Sequence, residues 1–419
     1  MAFLVVLHAC FYLNFFFATN LIYKRIKDLD VVTGLIATVS FILVGSTALH
    51  FVRRWNYRVF YFIHVLLATV LLPVLYFHVS HIRLFIWETF AVYTLHSTLR
   101  YFSTSAYHGR LSIVSDTNLV HIRIPLSATD SAKSWIAGQH VYLRLPAHPS
   151  TPSNLFKALK ERIHTNPFTV TSLPCKDREL VLVARTLAGN TKQLAGLALS
   201  LSAQSEVEGK QSHPLLYLEG PYGASSWLLD LSTYDHVLLV AGGVGATFIV
   251  PVWRQALEVH ARKSPGLGSM GRVRLIWAVR SMADAKWAFP FLKGRQEHAN
   301  EQAPNAGVEL YVTSTGASGS LEASRSLAMD DANRDIATTE QHCLLERGHG
   351  HTEKLQGVIA RTGRPNLRTI VDESFADTAG RTAVLICGPQ SMVHELRKAT
   401  RRWVKNGKDV YWHAETFAS

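Results

Sequence analysis

The stretch Val240-Ala241-Gly242-Gly243-Val244-Gly245-Ala246-Thr247, with Pro251 one turn further on, decides the fold of the second half of the chain. The apolar run from His236 to Ala241 is typical of a buried strand, and the glycines after it predict a tight turn into a helix. Glycines let a backbone approach phosphate, and a helix N-terminus offers free N–H groups and a positive dipole. Gly242, Gly243, Gly245 and Thr247 are therefore candidates for binding a dinucleotide. A plain glycine turn after a buried strand is the simpler alternative.

Two further apolar runs extend this pattern. Val273-Arg274-Leu275-Ile276-Trp277-Ala278-Val279-Arg280 reads as the next parallel strand, and Val384-Leu385-Ile386 leads into Cys387-Gly388-Pro389. Strands alternating with helical stretches predict a doubly wound α/β domain over residues 233–419. Residues 295–375 are polar, and their composition predicts a partly disordered insertion. Gly348-His349-Gly350-His351 within it is either a flexible loop or a metal-binding cluster.

Short alternating runs precede this domain and predict antiparallel strands. They are Leu111–Val114, Val120–Ile124 and Val141–Leu145, bounded by Pro, Gly, Asp and Asn. Several strands at such spacing predict a small antiparallel β-barrel over residues 106–232. Asn166-Pro167-Phe168-Thr169-Val170-Thr171-Ser172 combines a rigid proline, an aromatic ring and hydroxyls, which suit a flat polar ring system. A proline turn between strands is the alternative.

The first 105 residues are different, because four apolar segments dominate them. These are roughly residues 1–22, 31–51, 59–80 and 82–99, and each approaches the roughly 20 residues that a membrane-spanning helix needs. A buried helical core is the alternative, but a small domain cannot hide four such segments. We therefore predict an integral membrane domain in contact with lipid.

Basic residues between the segments bear on their orientation. Arg53-Arg54-Trp55-Asn56-Tyr57-Arg58 is strongly basic, which predicts a cytoplasmic loop and delivers residues 106–419 to the cytosol. Lys24-Arg25-Ile26-Lys27 would then lie outside, against the same rule. The sequence leaves this conflict open.

His64 and His78 lie fourteen residues apart on the third segment. This spacing rises about 21 Å along a helix and returns to within about 40° of the same face. A histidine inside a membrane marks a functional site or a hydrogen bond to a neighbouring helix. The paired spacing favours axial ligation of haem b, with imidazole as the iron ligand.

Charge and cysteine content exclude other classes. The net charge of +12 arises from scattered residues with no basic stripe interleaved with aromatics, so we expect no nucleic-acid partner. An anionic dinucleotide and a membrane surface account for it better. Four dispersed cysteines predict neither a disulfide framework nor a zinc site. The oligomeric state is left open.

Together these motifs resemble the fungal ferric reductases, relatives of the NADPH oxidases, over nearly the whole chain. Asn166–Ser172 is similar to the family's flavin motif. Glu219-Gly220-Pro221-Tyr222-Gly223 matches the motif that closes the family's flavin domain. The resemblance implies that Arg185, Gly189 and Thr191 bind the FAD pyrophosphate, and that Arg280 binds the 2′-phosphate of NADPH. It also implies that Cys387, Gly388 and Pro389 lie near the nicotinamide, and that Phe417 covers the flavin. Ser172, Cys387, Glu415 and Phe417 are the expected catalytic residues.

For the membrane part, the resemblance implies haem ligands at His8, His64 and His78. Ser46-Thr47, Arg53-Arg54, Tyr57, Phe60 and Ile63-His64 resemble the family's fifth helix, and Leu7-His8 with Tyr12 resembles the outer ligand of its third helix. On this pattern the first two helices and half of the third would precede Met1, so the chain is expected to be truncated. His8 and His78 would then hold an outer haem, while His64 would lack a partner.

The sequence thus predicts three parts: a helical transmembrane haem domain (1–105), a β-barrel FAD domain (106–232) and a ferredoxin-reductase-like NADPH domain (233–419). The predicted activity is an oxidoreductase of the plasma membrane that passes electrons from NADPH to chelated ferric or cupric ion. The alternatives are a superoxide-producing NADPH oxidase, a membrane-tethered diaphorase without a complete haem path, and an inactive binding fragment.

Overall fold

The structure is a computed structural model that describes residues 2–55, 57–131, 135–145, 166–187, 189–208, 212–223, 230–263, 273–292, 307–314, 353–355, 358–376 and 380–415. They form two compact units, Met1–Ser103 and Thr104–Ser419. The described residues of the first unit are helical, and all of the described strands belong to the second. The division therefore follows the change from long apolar segments to short alternating runs.

Helices form the first unit because its segments are long, apolar runs. They are α1 (Ala2–Ala18), α2 (Ile22–Arg25), α3 (Leu29–Thr47), α4 (His50–Trp55), α5 (Tyr57–His78) and α6 (Arg83–Phe102), with a 3-10 turn at Ser80–Ile82. Leu29–Thr47 and Phe60–His78 are long and apolar enough to cross a membrane, and Phe3–Ala18 is a shorter apolar helix. Among the described residues, two of the four predicted segments therefore meet the length and composition of a spanning helix.

The basic stretch at residues 53–58 is more helical than the sequence indicated. Arg53 and Arg54 belong to α4, and α5 already begins at Tyr57, so the expectation of a six-residue loop was wrong. The Arg53 guanidinium lies 5.6 Å from the centre of the Phe60 ring on α5. This cation–π contact joins α4 to the first turn of α5.

The first part of the second unit is antiparallel, as predicted. Its elements are β1 (Thr104–His108), β2 (Arg110–Ile113), β3 (Leu119–Pro125), α7 (Ala128–Ser131), β4 (His140–Arg144), β5 (Asn166–Thr169), α8 (Pro174–Asp177), β6 (Glu179–Arg185), α9 (Asn190–Glu208) and β7 (Leu215–Tyr222). The described strands form two sheets, of order β1-β7-β4-β5 and β2-β3-β6, joined by a single bridge between Val170 and Leu182. Both sheets bury their apolar faces in one shared core that includes Ile122, Phe168 and Leu216.

The second part is a seven-stranded sheet of order β11-β12-β10-β9-β8-β13-β14, parallel except for β11. Its elements are β8 (His236–Gly242), α10 (Ala246–Lys263), β9 (Val273–Val279), α11 (Phe289–Leu292), β10 (Val308–Val312), β11 (Glu353–Leu355), β12 (Val358–Thr362), α12 (Leu367–Ala376), β13 (Thr382–Cys387), α13 (Gln390–Lys405) and β14 (Val410–Glu415). Three 3-10 turns, Leu231–Thr233, Gly243–Gly245 and Met282–Ala288, complete the unit.

Helices cover both faces of this sheet, because the apolar side chains of β8 alternate between them. Leu239 packs in a core with Phe248 of α10, whereas Leu238 packs on the other side with Leu367 of α12 and Leu396 of α13. A buried parallel sheet needs this cover on each face. The doubly wound arrangement predicted from the sequence is present.

The predicted polar insertion at 295–375 was wrong in extent. Strand β10 lies inside the sheet between β9 and β12, and β12 and α12 also fall within that range. The sequence did not predict a strand at Val308-Glu309-Leu310-Tyr311-Val312, because the Glu309 carboxylate interrupts the apolar run. Glu309 is nevertheless buried, and its carboxylate is paired with Arg274 and Arg361 at 2.6 and 3.0 Å. The His349 and His351 cluster lies outside the described residues.

A continuous apolar core joins the antiparallel part to the parallel sheet. Leu119, Leu173 and Val181 share this core with Trp253 of α10. A bidentate ion pair reinforces it, since Arg254 donates to both oxygens of Asp177 at 2.6 and 2.8 Å. The two parts therefore meet through packing and a fixed charge pair, which holds their facing loops in one orientation.

His121 on β3 gives this junction a pH dependence. It pairs with Val183, on the strand face that belongs to the joint core, and burial followed by the Arg123 charge lowers its pKa from 6.5 to about 4. Protonation therefore favours the unfolded chain. We expect stability to be full above about pH 6.5 and to fall by on the order of 3 kcal/mol as the pH approaches 4. Denaturant unfolding of His121→Gln across this range should show a flatter pH slope than the parent, and an unchanged slope would contradict the assignment.

Candidate functional site

Two glycine loops meet where the strand order of the parallel sheet reverses. The loop after β8 and the loop after β13 lie side by side, with β9 and β10 on one side and β14 on the other. A Cβ on Gly242 would lie 2.6 Å from Cδ of Pro389, and one on Gly388 would lie 3.1 Å from the Gly242 nitrogen. Ligands of open α/β sheets bind at such a reversal point, outside the carboxyl ends of the strands.

The glycines of the first loop have different roles. Gly243 has a φ of +54° and open space where a side chain would project, so its backbone is accessible to a ligand. A Cβ on Gly245 would lie 2.2 Å from the Cys387 carbonyl oxygen, so this glycine is required for packing against β13. The Thr247 hydroxyl is buried and donates to the Val244 carbonyl at 2.9 Å, within the turn itself. The Trp277 indole donates to the Gly243 carbonyl at 3.0 Å and holds the loop in place.

Arg280 follows β9 at the same edge of the sheet and is exposed. Its carbonyl accepts a hydrogen bond from the Ser314 hydroxyl at 2.6 Å, which brings the ends of β9 and β10 together. Arg364 lies just beyond β12, the next strand in the sheet. The sequence reasoning missed Ser314 and Arg364 because both fell in the supposed insertion. The apolar residues around Glu309 are the pattern from which a strand, and so the position of Ser314 after it, could have been predicted.

The Asn166–Ser172 motif divides between the core and the surface. Phe168 and Val170 are buried in the core between the two antiparallel sheets, whereas Asn166 and Pro167 are exposed. The Phe168 ring therefore packs internally. The surface of this strand is formed by Pro167 and Thr169, which pair with Tyr142 and His140 of β4.

Thr171 and Ser172 end the motif inside the protein. The Ser172 hydroxyl oxygen accepts the Val181 amide at 3.0 Å, which ties the motif to β6. The Thr171 hydroxyl is fully buried and has no hydrogen-bond partner among the described residues. A buried hydroxyl without a partner is costly, which is a reason to expect a polar ligand group beside it.

The second flavin stretch forms the start of a long helix. Arg185 ends β6, and Gly189 adopts a φ of +66° with open space around it before α9 begins at Asn190. The Thr191 hydroxyl accepts the Leu187 amide at 3.1 Å and shapes the turn. A helix N-terminus of this kind suits an anion, so Arg185, Gly189 and Thr191 stay predicted contacts of the FAD pyrophosphate.

Three rings cover the outer face of the β7-β4-β5 sheet, and of these only Tyr222 belongs to a motif that the sequence analysis named. Tyr142 and Tyr222 have ring centroids 5.7 Å apart, and His140 lies 5.7 Å and 6.2 Å from them. The Tyr222 hydroxyl donates to Glu219 at 2.7 Å. Such a face suits a flat aromatic ligand.

Glu415 links this face to the nucleotide loops. The residue pairs with Cys387 across β13 and β14, and its carboxylate lies 3.4 Å from the His413 Nε2. Burial lowers the pKa of His140, and the Glu415 charge partly opposes that shift. Burial, followed by the same carboxylate, raises the pKa of Cys387 to about 12. Cys387 is therefore a neutral thiol at physiological pH, and Phe417 lies outside the described residues.

In the helical unit, His78 is held by the neighbouring helix. Its Nδ1 lies 2.6 Å from the Asp30 carbonyl, and its ring sits where a Cβ on Gly34 would be, 2.5 Å from Cε1. A donor bond from Nδ1 to a carbonyl leaves Nε2 as the free lone pair, which is the usual arrangement of a metal-bound histidine. The orientation of His78 is thus suited to an axial ligand.

The other two predicted haem ligands differ in environment. His64 has its Nδ1 buried without a hydrogen-bond partner among the described residues, and its ring lies 5.2 Å from Phe60. His8 is exposed and contacts Tyr12 at 4.8 Å between ring centroids. No contact joins His8 to His78 within the described part of the chain.

Comparison with known proteins matches all three parts in order. The ferric reductase like transmembrane component family matches residues 1–75, an FAD-binding domain family matches 108–226, and the ferric reductase NAD binding domain family matches 234–401. This chain is similar to the ferric reductases. The resemblance drawn from the sequence is therefore confirmed, and an FAD-binding and a nicotinamide-binding domain follow a transmembrane part.

Individual relatives agree. A probable ferric reductase transmembrane component of Candida albicans is 26% identical over 94% of this chain and 54% of the relative. Ferric/cupric reductase transmembrane component 2 of Saccharomyces cerevisiae is 25% identical over 87% and 47%. Respiratory burst oxidase homolog protein B of Solanum tuberosum is 27% identical over 60% and 30%. The chain thus spans about half the length of the fungal relatives it matches.

Gly245 provides a test of the loop packing. In Gly245→Ala the new Cβ would meet the Cys387 carbonyl, so the loop or β13 must move, at a cost of about 1–3 kcal/mol of stability and a lower nucleotide affinity. Gly196→Ala is the matched control, because Gly196 lies inside α9 with open space around it. That control should be neutral or stabilising by up to about 1 kcal/mol. Thermal unfolding with and without nucleotide measures both variants, and equal behaviour of the two would refute the packing argument.

Proposed function

We propose that this chain is a membrane ferric-chelate reductase that uses NADPH and FAD, with haem b in its helical unit. The net reaction is NADPH plus two ferric ions giving NADP⁺, two ferrous ions and one proton. The observation that carries the proposal is the junction itself. Both glycine loops, Cys387 and Glu415 lie at the reversal point of the sheet, and Glu415 acts electrostatically on His140 of the aromatic face.

The residues present fit both nucleotides. The open backbone at Gly243 and the exposed Arg280 suit a phosphorylated dinucleotide. The Thr171 hydroxyl, which has no hydrogen-bond partner in the described part of the chain, and the open backbone at Gly189 suit FAD. When bound at these residues, FAD would supply the exchange between two-electron and one-electron chemistry, and haem would supply one-electron transfer.

The chain's own residues prepare the junction for hydride transfer. The neutral Cys387 thiol adds no negative charge beside a hydride donor, and its burial keeps water from that side. The Ser172 bond to Val181 and the Trp277 bond to Gly243 hold the two facing loops in place. Positioning of this kind is the main contribution that such a protein makes to the rate.

For the haem, the chain offers His78 with its Nε2 lone pair available and His64 with an unsatisfied ring nitrogen. His8 remains our proposed third ligand. We propose that the NADPH and FAD parts face the cytosol, that the helical unit lies in the plasma membrane, and that chelated ferric or cupric ion is reduced on the far side.

Arg280 should select NADPH over NADH. Replacement by alanine removes a charge-assisted phosphate contact worth about 1.5–3 kcal/mol, which raises KM for NADPH about 10- to 100-fold. KM for NADH should change little, and Arg280→Lys should retain part of the preference. Steady-state reduction of a soluble dye measures both cofactors. Equal effects on the two would show that Arg280 does not read the phosphate.

His78 should be needed only for delivery across the membrane. His78→Ala should lose the haem Soret band and external ferric reduction while keeping bound flavin and NADPH-driven dye reduction. His96→Ala is the matched control, since His96 is an exposed histidine of the same unit on α6, and it should retain haem.

The outcomes separate the alternatives. External iron reduction that persists in His78→Ala would rule out this electron path. Dye reduction by the parent chain without any external iron reduction would instead establish a tethered diaphorase. Superoxide formation in the absence of iron would establish an oxidase.

A further inference from the structure

One end of the helical unit carries a concentration of positive charge that its topology does not explain. Residues 19–30 and 79–83 form this end, and they contain four cationic side chains against the two carboxylates of Asp28 and Asp30. The cations are Lys24, Arg25, Lys27 and Arg83, and all four are exposed. The end is therefore a net positive surface.

This surface lies at His78. The Asp30 carbonyl, in the first turn of α3, contacts the His78 ring. The basic segment that begins with α2 therefore leads directly to that histidine. Arg83 is fixed beside it, because its Nε donates to the Tyr76 carbonyl at 3.1 Å and its guanidinium lies 5.0 Å from the Tyr76 ring centre. Arg83 thus lies at the end of α5 that bears the proposed outer ligand, and the basic segment that leads into α3 reaches the same end through Asp30.

The charges are available to a ligand. Arg25 pairs with Asp28 at 3.0 Å, but Lys24 and Lys27 make no ion pair within the described residues. Lys24 lies on the short helix α2 and Lys27 in the turn after it, and such exposed lysine side chains can reorient toward an approaching anion.

The position of this surface conflicts with the usual distribution of charge in membrane proteins. Helix α5 is 22 residues long, about 33 Å, so Arg53 and the Lys24 surface lie at opposite ends of it. Helix α6 turns back along α5, with the Tyr76 and Trp87 rings 6.4 Å apart. Basic residues are normally retained on the cytoplasmic side. Only one of the two ends, that of Arg53 or that of Lys24, can lie on the cytoplasmic side. The positive charge at the other end therefore has a different cause.

We propose that Lys24, Lys27 and Arg83 form the docking surface for the electron acceptor, and that this acceptor is an anionic chelate of ferric ion such as ferric citrate. The inference rests on the proposed function and names its substrate class. The cations attract the chelate to the His78 end, where an outer-sphere electron transfer requires proximity but no coordination to the protein. Attraction of this kind raises the encounter rate and weakens with salt.

A charge series of acceptors tests the activity. The double variant Lys24→Gln/Lys27→Gln should lower kcat/KM about 10-fold for ferric citrate and ferricyanide at low ionic strength. It should leave the value for tris-bipyridine cobalt(III), a cationic acceptor, unchanged or higher. Lys24→Arg/Lys27→Arg should retain the parent values. Arg53→Gln removes one charge from the opposite end and should leave kcat/KM unchanged for both the anionic and the cationic acceptors.

Binding gives a readout that does not depend on turnover. Radiolabelled gallium(III) citrate, which the enzyme cannot reduce, should bind the full chain in phosphatidylcholine nanodiscs in a salt-sensitive manner. Equilibrium dialysis should show weaker binding to the Lys24→Gln/Lys27→Gln variant, with equal haem and flavin content. Use of a lipid without net charge excludes a change in lipid headgroup binding as the cause.

Two results would overturn the proposal: an equal fall for anionic and cationic acceptors, or gallium citrate binding that the double variant leaves unchanged. Failure of the proposed function is distinguishable. In that case the parent chain would reduce dye but no external acceptor, while the gallium citrate experiment would still decide whether the surface binds the chelate.

Discussion

Close backbone packing between two loops is the constraint on which the second unit depends. Gly242 and Gly388 lie so close that a Cβ on Gly388 would be 3.1 Å from the Gly242 nitrogen, and Gly245 lies against the Cys387 carbonyl. A side chain at any of these positions would force β8 and β13 apart. Because both strands are central to the sheet, that separation would open the core that α10, α12 and α13 cover. The same packing exposes the Gly243 backbone at the reversal point, so one geometric requirement sustains both stability and ligand access.

The junction between the two parts of this unit combines apolar packing with a limited set of charges. The joint core orients the sheets, and the Arg254 and Asp177 pair restrains their relative rotation. Within this frame the Glu415 charge acts on both His140 and Cys387, and burial keeps those two groups neutral near pH 7. A mostly neutral junction beside an anionic nucleotide avoids repulsion at the point where the proposed hydride transfer occurs.

In the helical unit, the corresponding constraint is the hydrogen bond between His78 and the Asp30 carbonyl. An imidazole between helices needs such a partner, because a lipid environment cannot satisfy it. Gly34 supplies the space for the ring. These two contacts orient the remaining ring nitrogen, and the positive surface that is proposed to bind the electron acceptor lies at the same end of the helix.

The sequence alone determined the order of the parts, the position of the glycine loops and the family resemblance. Local patterns carry these features, since apolar runs set strands and spans while glycines mark tight turns. The sequence alone did not show which neighbours a residue gains from distant parts of the chain. Glu309 looked like part of a polar insertion because its partners Arg274 and Arg361 are far away in sequence. Phe168 was predicted to contact the flavin, and strand alternation places its ring in the core and leaves His140, Tyr142 and Tyr222 on the surface. Gly245 stays a predicted phosphate contact, and only the packing of β13 revealed the Cys387 carbonyl beside it. Tertiary structure decided these roles, because the face and neighbours of a side chain are set by which strands and helices pack together.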